Sequence, residues 1–197
     1  MNLPNKLTIF RIILVPIMVI IPFLGITGTI SGIPISWIII DLIFILASIT
    51  DKLDGYLARK NNQITTFGKF LDPLADKILV LAAMTMLVEM TKLPAWIPII
   101  VLTREFMVSG YRLVAVEKGG KVIAASKWGK LLTLTQMIAI ILAFVDLNPF
   151  GECFLGTLQG GDLILNIIVT GMMIIQTIAT IFSGLDYMKG AKKLMKD

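Results

Sequence analysis

The chain contains 197 residues, of which 56% are hydrophobic and 16% are charged, and its formal net charge is +5. This composition excludes an ordinary soluble domain and indicates a polytopic membrane protein with room for about six spans of roughly 20 residues each. Histidine is absent and Cys153 is the one cysteine, which excludes His-dependent nucleophiles, His metal ligands, zinc cages and internal disulfides.

Six apolar runs follow one another along the chain, and we predict that each forms a transmembrane helix of a single all-α domain over residues 1–197. The first is interrupted by Arg11, and a cleaved signal peptide is its alternative interpretation, although further spans follow. The second carries Asp41, which we expect to pack against a polar group of another helix. The third contains Pro73, which either marks the first turn of its helix or kinks it. The runs cover residues 7–25, 35–50, 70–90, 93–116, 131–145 and 163–185.

Basic residues are distributed very unevenly between the two predicted sides of the membrane. With six spans, 17 of the 18 Lys and Arg residues lie on the side that carries both termini, and only Lys92 lies on the other. The positive-inside rule therefore predicts a multi-pass protein of the cell membrane with both termini in the cytoplasm. The basic surplus suits anionic headgroups and phosphates, and no nucleic-acid-binding module is recognisable, so we expect the lipid bilayer as a partner and no nucleic acid.

Four aspartates mark the segment 51–76 as the candidate site. Asp51 and Asp54 are three residues apart and Asp72 and Asp76 are four apart, so each pair occupies one face of a helix. The pairs converge if the second and third spans pack as an antiparallel pair, and carboxylates so placed repel one another unless cations hold them. Hard divalent ions prefer such oxygen ligands, and we predict a two-metal site for phosphoryl-group chemistry at the cytoplasmic membrane surface. Solvated acids at two helix ends are the alternative interpretation.

The spacing of this segment resembles the signature of the CDP-alcohol phosphotransferases. Eight positions over 26 residues agree with it, and they are Asp51, Asp54, Gly55, Ala58, Arg59, Gly68, Asp72 and Asp76. The resemblance implies a six-helix membrane fold, usually dimeric, which joins a CDP-linked alcohol to a second alcohol and releases CMP. We therefore also expect a homodimer.

Individual roles follow from the resemblance, position by position. Asp51, Asp54 and Asp72 resemble metal ligands, and Asp76 resembles a further ligand that is also the general base. The N-terminal stretch NLPNKLT is similar to a family segment near the cytidine. The resemblance assigns the following positions to the nucleotide and its diphosphate: Asn5, Thr8, Gly55, Ala58, Arg59, Thr65 and Gly68.

The acceptor alcohol is indicated by segments outside the signature. The N-terminus, TREFMVSGYRLVA from Thr103 and ASKWGKLLTLTQ from Ala125 resemble the phosphatidylglycerophosphate synthases within this family. An anionic acceptor such as glycerol 3-phosphate requires cations near the same face, whereas the lysines have the alternative of snorkelling to headgroups. Leu132 departs from the pattern, because many synthases carry a lysine there. The candidate acceptor-binding residues are Arg104, Arg112, Ser126, Lys127 and Lys130.

Together with the predicted two-metal site, the resemblance implies an enzyme that transfers a phosphatidyl group from CDP-diacylglycerol to sn-glycerol 3-phosphate, with two Mg2+ ions, or Mn2+, as cofactors. Serine, inositol phosphate or phosphatidylglycerol as the acceptor is the nearest alternative. A divalent-cation transporter is a more distant one, since it gives no reason for the spacing of Gly55, Arg59 and Gly68.

Overall fold

The computed structural model describes the backbone of residues 3–60, 66–117 and 127–194, and the side chains of residues 5–51, 71–111, 132–186 and 188. This part of the chain is mostly helical, in agreement with the predicted all-α class. Its helices are α1 (Leu3–Ile20), α2 (Ile35–Lys60), α3 (Thr66–Glu89), α4 (Trp96–Glu117), α5 (Lys127–Val145) and α6 (Gly160–Leu194).

A small β-hairpin precedes α2 in a stretch whose Gly, Ser and Thr content predicts a loop. Strand β1 (Thr29–Ile30) pairs antiparallel with β2 (Ile33–Pro34). The two linking residues, Ser31 and Gly32, have φ values of 53° and 85°. Positive φ at both central positions is the type I′ geometry that matches the twist of paired strands. The stretch thus contains a paired hairpin in addition to the loop that its composition indicates.

The first compact unit comprises Met1–Lys92 and Ile140–Leu147. Within it, α1 packs against both α2 and α3, and α2 also contacts α3. Pro73 lies inside α3, which begins at Thr66, so the first of its two alternative positions, the first turn of the helix, is excluded. Small side chains such as Ala47 and Ala83 allow neighbouring helices to approach closely. The fully buried apolar side chains of this unit include Met18, Ile40, Phe44, Ala47, Leu79, Ala83 and Leu87.

Lys92 joins several elements of the first unit beyond the C-terminal end of α3. Its ammonium donates to the carbonyl oxygens of Ala143 at 3.2 Å and Phe144 at 3.3 Å, and also to the backbone carbonyl of Asp146. Its Nζ lies 3.9 Å from the ring centroid of Trp37 on α2. The last carbonyls of a helix lack partners within the helix, so Lys92 caps α5 and links it to α2.

The second compact unit comprises Leu93–Ala139 and Asn148–Asp197, and α4 packs against α6 within it. Buried positions on α6 recur at intervals of four and three residues, the spacing of a helix–helix seam. Several are polar, and the hydroxyls of Thr177 and Thr180 each donate at 2.7 Å to the carbonyl four residues earlier. Such bonds satisfy buried hydroxyls within their own helix. The buried seam positions of α6 are Asn166, Thr170, Met173, Thr177, Thr180 and Gly184.

Two helices in the described part of the chain are long and apolar enough to cross a bilayer, over Asn5–Leu24 and Gly160–Asp186. Both also present large apolar side chains outward, for example Ile13 and Ile17 on α1 and Ile175 and Phe182 on α6. Exposed apolar surface on this scale is typical of contact with lipid rather than water.

Candidate active site

Two of the four predicted metal-binding aspartates are held by residues of α1. Asp51, in the C-terminal half of α2, accepts a hydrogen bond at 2.6 Å from Nη1 of Arg11. Asp72, in the first half of α3, accepts one at 2.6 Å from the hydroxyl of Thr8. Each helix of the predicted antiparallel pair thus contributes one carboxylate to contacts with the same neighbouring helix.

Thr8 and Arg11 are three residues apart on α1, so they lie on one face of that helix about 5–6 Å apart at their Cβ atoms. The carboxylates that they hold, those of Asp51 and Asp72, are therefore brought towards the same short stretch of α1. Asn5 lies one further turn towards the N-terminus and is also buried. The face of α1 turned to α2 and α3 therefore carries a polar series in an otherwise apolar helix.

Asp76 follows Asp72 by one turn of α3 and is partly buried, and its Oδ1 has almost no contact with solvent. It thus lies beside the Thr8–Asp72 contact, on the face that the four-residue spacing predicts. Asp76 thus adds a third carboxylate to those of Asp51 and Asp72, which accept the hydrogen bonds from Arg11 and Thr8 given above.

The donor set of this face suits a hard divalent cation. The described acids Asp51, Asp72 and Asp76 all offer carboxylate oxygens, which Mg2+ prefers over nitrogen or sulfur ligands. Among the described side chains, no group of three or more acidic, His or Cys ligands lies close enough together to bind a metal ion. The side chain of Asp54, the fourth member of the predicted set, lies outside the described residues.

Arg104, a predicted acceptor-binding residue, is described within the second unit. Its Nη2 and Nε donate to the hydroxyl of Ser183 on α6 at 2.9 and 3.3 Å, and its Nη1 donates to the neighbouring Glu105. These hydrogen bonds to Ser183 fix the orientation of the guanidinium relative to α6.

The remaining predicted site residues lie outside the stretches of the chain whose side chains the structure describes. They are Gly55, Ala58, Arg59, Thr65 and Gly68 of the predicted nucleotide site, and Arg112, Ser126, Lys127 and Lys130 of the predicted acceptor site. Their roles remain predictions.

Arg11 is the residue of this site whose role the sequence does not indicate directly. The sequence marks it only as a charge that interrupts an apolar run. A usable signal is its spacing of three from Thr8, since residues three apart are neighbours on a helix surface. Its partner, forty residues away in the chain, becomes evident only from the packing of α1 against α2.

The model of the CDP-alcohol phosphatidyltransferase family matches residues 1–182. The chain belongs to this family. The family match spans α1 to α5 and most of α6, so every predicted metal-, nucleotide- and acceptor-binding residue falls within it, whereas Ser183, which bonds to Arg104, follows directly after its end.

Curated relatives in the family are similar in sequence to this chain over most of its length. A CDP-diacylglycerol--glycerol-3-phosphate 3-phosphatidyltransferase of Bacillus subtilis (strain 168) is 47% identical over 156 residues, covering 76% of this chain and 79% of the relative. A protein of the same name from Haemophilus influenzae is 39% identical over 200 residues, covering 100% and 96%. A probable phosphatidylglycerophosphate synthase of Mycobacterium tuberculosis (strain H37Rv) is 40% identical, covering 75% and 68%.

Proposed function

We propose that this chain is a membrane enzyme that transfers the phosphatidyl group of CDP-diacylglycerol to sn-glycerol 3-phosphate, giving phosphatidylglycerophosphate and CMP. The observation that carries the proposal is the convergence of Asp51 and Asp72 on one face of α1. It occurs in a chain whose curated relatives are named for this reaction.

The cofactor in this proposal is Mg2+, as two ions held by Asp51, Asp54, Asp72 and Asp76, with Mn2+ as a substitute. When bound, the ions would neutralise the diphosphate and stabilise the negative charge that develops on the departing CMP. The carboxylate donor set and the α1 contacts of Asp51 and Asp72 support this assignment.

Asp76 is the general base of the proposed reaction. Its carboxylate accepts the proton of the primary hydroxyl of glycerol 3-phosphate, and the resulting oxygen attacks the phosphorus that carries diacylglycerol. The bond from that phosphorus to the bridging oxygen of the diphosphate breaks, and its electron pair leaves with CMP. The partly buried position of Asp76, one turn beyond Asp72, supports this role.

The substrates divide the remaining residues into two groups. Asn5 and Thr8 on α1 belong to the nucleotide side, with Gly55, Ala58, Arg59, Thr65 and Gly68. Arg104 belongs to the glycerol 3-phosphate side, where a guanidinium suits a phosphate dianion. Its orientation by Ser183 supports that role, and the other members of this side are Arg112, Ser126, Lys127 and Lys130.

The enzyme of this proposal is a homodimer in the cell membrane, with six spans, both termini in the cytoplasm and the active site at the cytoplasmic face. The bias of basic residues supports the orientation. The two candidate spans and the outward-facing apolar side chains of α1 and α6 support insertion in the bilayer.

The decisive experiment measures CMP release by purified protein supplied with CDP-diacylglycerol and Mg2+, with and without glycerol 3-phosphate. We expect release that requires glycerol 3-phosphate and stops when EDTA removes the metal. Release only with serine, inositol phosphate or phosphatidylglycerol would contradict the acceptor and keep the reaction type. No release with any alcohol, from protein shown to be folded, would contradict the enzyme assignment.

Replacing Asp76 by Asn tests the general base. The amide cannot accept the hydroxyl proton, so we expect kcat to fall by about 10²–10⁴-fold while the thermal unfolding temperature changes little. Asp162→Asn is the matched control, because Asp162 is an exposed acid in the first turn of α6, and its kcat should match that of the wild type. An Asp76→Asn enzyme with normal turnover would refute the assignment.

A further inference from the structure

Arg11 is a fully buried charge in α1, where the surrounding sequence is apolar. Its side chain is 0% exposed and lies within the apolar stretch Asn5–Leu24. Its Nη1 donates to Oδ1 of Asp51 at 2.6 Å, and the side chain of Asp51 is 28% exposed. A guanidinium stays protonated throughout the physiological pH range, so this position carries a permanent positive charge.

This pair differs from an ion pair on a protein surface. Exposed pairs contribute little to stability because water screens both charges. A guanidinium removed from water, by contrast, requires a partner, and deleting one member leaves the other charge uncompensated. The charge of Arg11 and that of Asp51 therefore depend on each other in the folded protein.

Asp51 is also one of the aspartates assigned above to Mg2+. The acidic site thus has a positive charge of its own in addition to the ions that it would bind. Thr8, one turn before Arg11, holds Asp72 with a neutral hydroxyl instead. Of the two α1 residues that hold an aspartate, only Arg11 brings a positive charge to its contact.

We propose that Arg11 is the resident counter-cation of the acidic site and the positioning residue of Asp51. Before divalent ions bind, its guanidinium offsets part of the repulsion among the aspartates and holds Asp51 against α1. Arg11 and the bound ions contribute to the same charge balance, so protein without Arg11 depends more strongly on the ions. This inference rests on the proposed function, because it concerns the metal that the transfer reaction would use.

The test compares the thermal unfolding temperatures of wild-type and Arg11→Met protein in EDTA and in saturating Mg2+. In EDTA we expect Arg11→Met to lower Tm by about 10 °C, because the variant loses the ion pair between a buried guanidinium and a partly buried carboxylate. In Mg2+ the deficit should shrink to about half or less, because an ion that binds the folded state stabilises it by mass action. Lys6→Met removes an exposed charge from the same helix and should shift Tm equally in both solutions.

An equal deficit for Arg11→Met in EDTA and in Mg2+ would make Arg11 an ordinary structural residue and overturn the inference. If Arg11→Met does not fold, Arg11→Lys and Arg11→Gln provide the comparison. The rise in Tm caused by Mg2+ should then be larger for Arg11→Gln, which loses the charge, and equal rises would overturn the inference. Failure of the proposed function is distinguishable, since wild-type protein would then show neither a Mg2+-dependent rise in Tm nor CMP release.

Discussion

The side-chain amino group of Lys92 is buried, and it changes its protonation state within an experimentally accessible range of pH. Burial lowers the pKa of Lys92 from 10.5 to about 8, although Asp146 after α5 and Asp41 on α2 both act to raise it. In the unfolded chain the ammonium keeps its ordinary pKa, so the unfolded state binds more protons than the folded state between these two values. The contribution of Lys92 to the free energy of unfolding therefore rises with pH across this window.

Replacing Lys92 by Met tests this linkage. We expect the difference in Tm, wild type minus Lys92→Met, to increase as the pH rises from about 7 to about 10, because the variant lacks the titrating group. The measurement is thermal unfolding of both proteins in the same detergent at each pH. Lys6→Met, which removes an exposed lysine from α1, is the matched control measured in parallel. A difference that decreases with pH for Lys92→Met would contradict the assigned direction.

At the level of single residues, the sequence predicts which acids matter better than it predicts what holds them. The three- and four-residue spacings of the aspartates follow from helix geometry alone, and they place Asp72 and Asp76 on one face of α3. The partners Thr8 and Arg11 lie far away in the chain, and only tertiary packing brings them to Asp72 and Asp51. Arg11 in particular gives no local pattern beyond one charge among apolar residues.

Among the elements, α4 and α6 form the contact that orients Arg104. Gly184 on α6 faces the aliphatic part of Arg104, and a Cβ at that position would lie 3.6 Å from Cγ of the arginine. The preceding residue, Ser183, accepts two hydrogen bonds from the guanidinium. The small side chain of Ser183 and the absence of a side chain at Gly184 thus let Arg104 lie along α6, with its guanidinium held by the serine hydroxyl.

Ser183→Ala is expected to weaken the binding of glycerol 3-phosphate. The change removes the acceptor of two hydrogen bonds from a charged group, and such bonds contribute about 1.5–3 kcal/mol. Since only part of that free energy is used to orient Arg104, we expect KM for glycerol 3-phosphate to rise by about tenfold, while KM for CDP-diacylglycerol stays constant.

Ser109→Ala is the matched control for this experiment. Its hydroxyl donates at 2.8 Å to the carbonyl of Glu105 in the same helix, so the variant loses a serine of α4 without losing the contact between Arg104 and α6. Its KM for glycerol 3-phosphate should match that of the wild type. Equal rises for both variants, or a rise in KM for CDP-diacylglycerol instead, would contradict the role given to Ser183.

The helices extend beyond the apolar runs that predict them, and the reason is physical. Hydropathy detects only the part of a helix that suits lipid, whereas a helix satisfies its own backbone hydrogen bonds on either side of the bilayer surface as well. α2 therefore continues past Asp51 to Lys60, and α6 runs for 35 residues from Gly160 to Leu194. At 1.5 Å per residue such a helix measures roughly 50 Å, against a hydrocarbon core of about 30 Å.

For the whole molecule, the sequence predicts the family and the reaction more directly than the arrangement of the chain. The spacing of eight signature positions is local information, and the family match over residues 1–182 agrees with it. The two compact units do not follow the order of the sequence. Residues 140–147, which are the C-terminal end of α5 and the two residues after it, belong to the first unit, whereas residues 93–139 belong to the second. Contacts of this kind depend on packing between distant segments, which no periodicity in a single sequence reveals.

Orientation in the membrane is a prediction at this scale, and Cys153 provides a natural reporter for it. The residue lies in the short helical turn Glu152–Phe154 between α5 and α6, and it is a partly exposed free thiol. Six spans with cytoplasmic termini place this turn on the outer side of the membrane, together with Lys92. A membrane-impermeant maleimide should therefore label Cys153 in intact cells.

The opposite side needs its own reporter, because labelling at a single position does not separate orientation from leakage of the reagent. Lys196→Cys in a Cys153→Ser background places the one thiol in the basic C-terminal tail. That thiol should react only after the cells are permeabilised, whereas Cys153 in the wild-type chain should react to the same extent before and after. The reverse pattern would place the aspartates of α2 and α3 outside the cell and not at the cytoplasmic face, where the proposed active site lies. That outcome would contradict the topology that the charge bias predicts. It would also contradict the proposed reaction, because the proposed active site faces the cytoplasm.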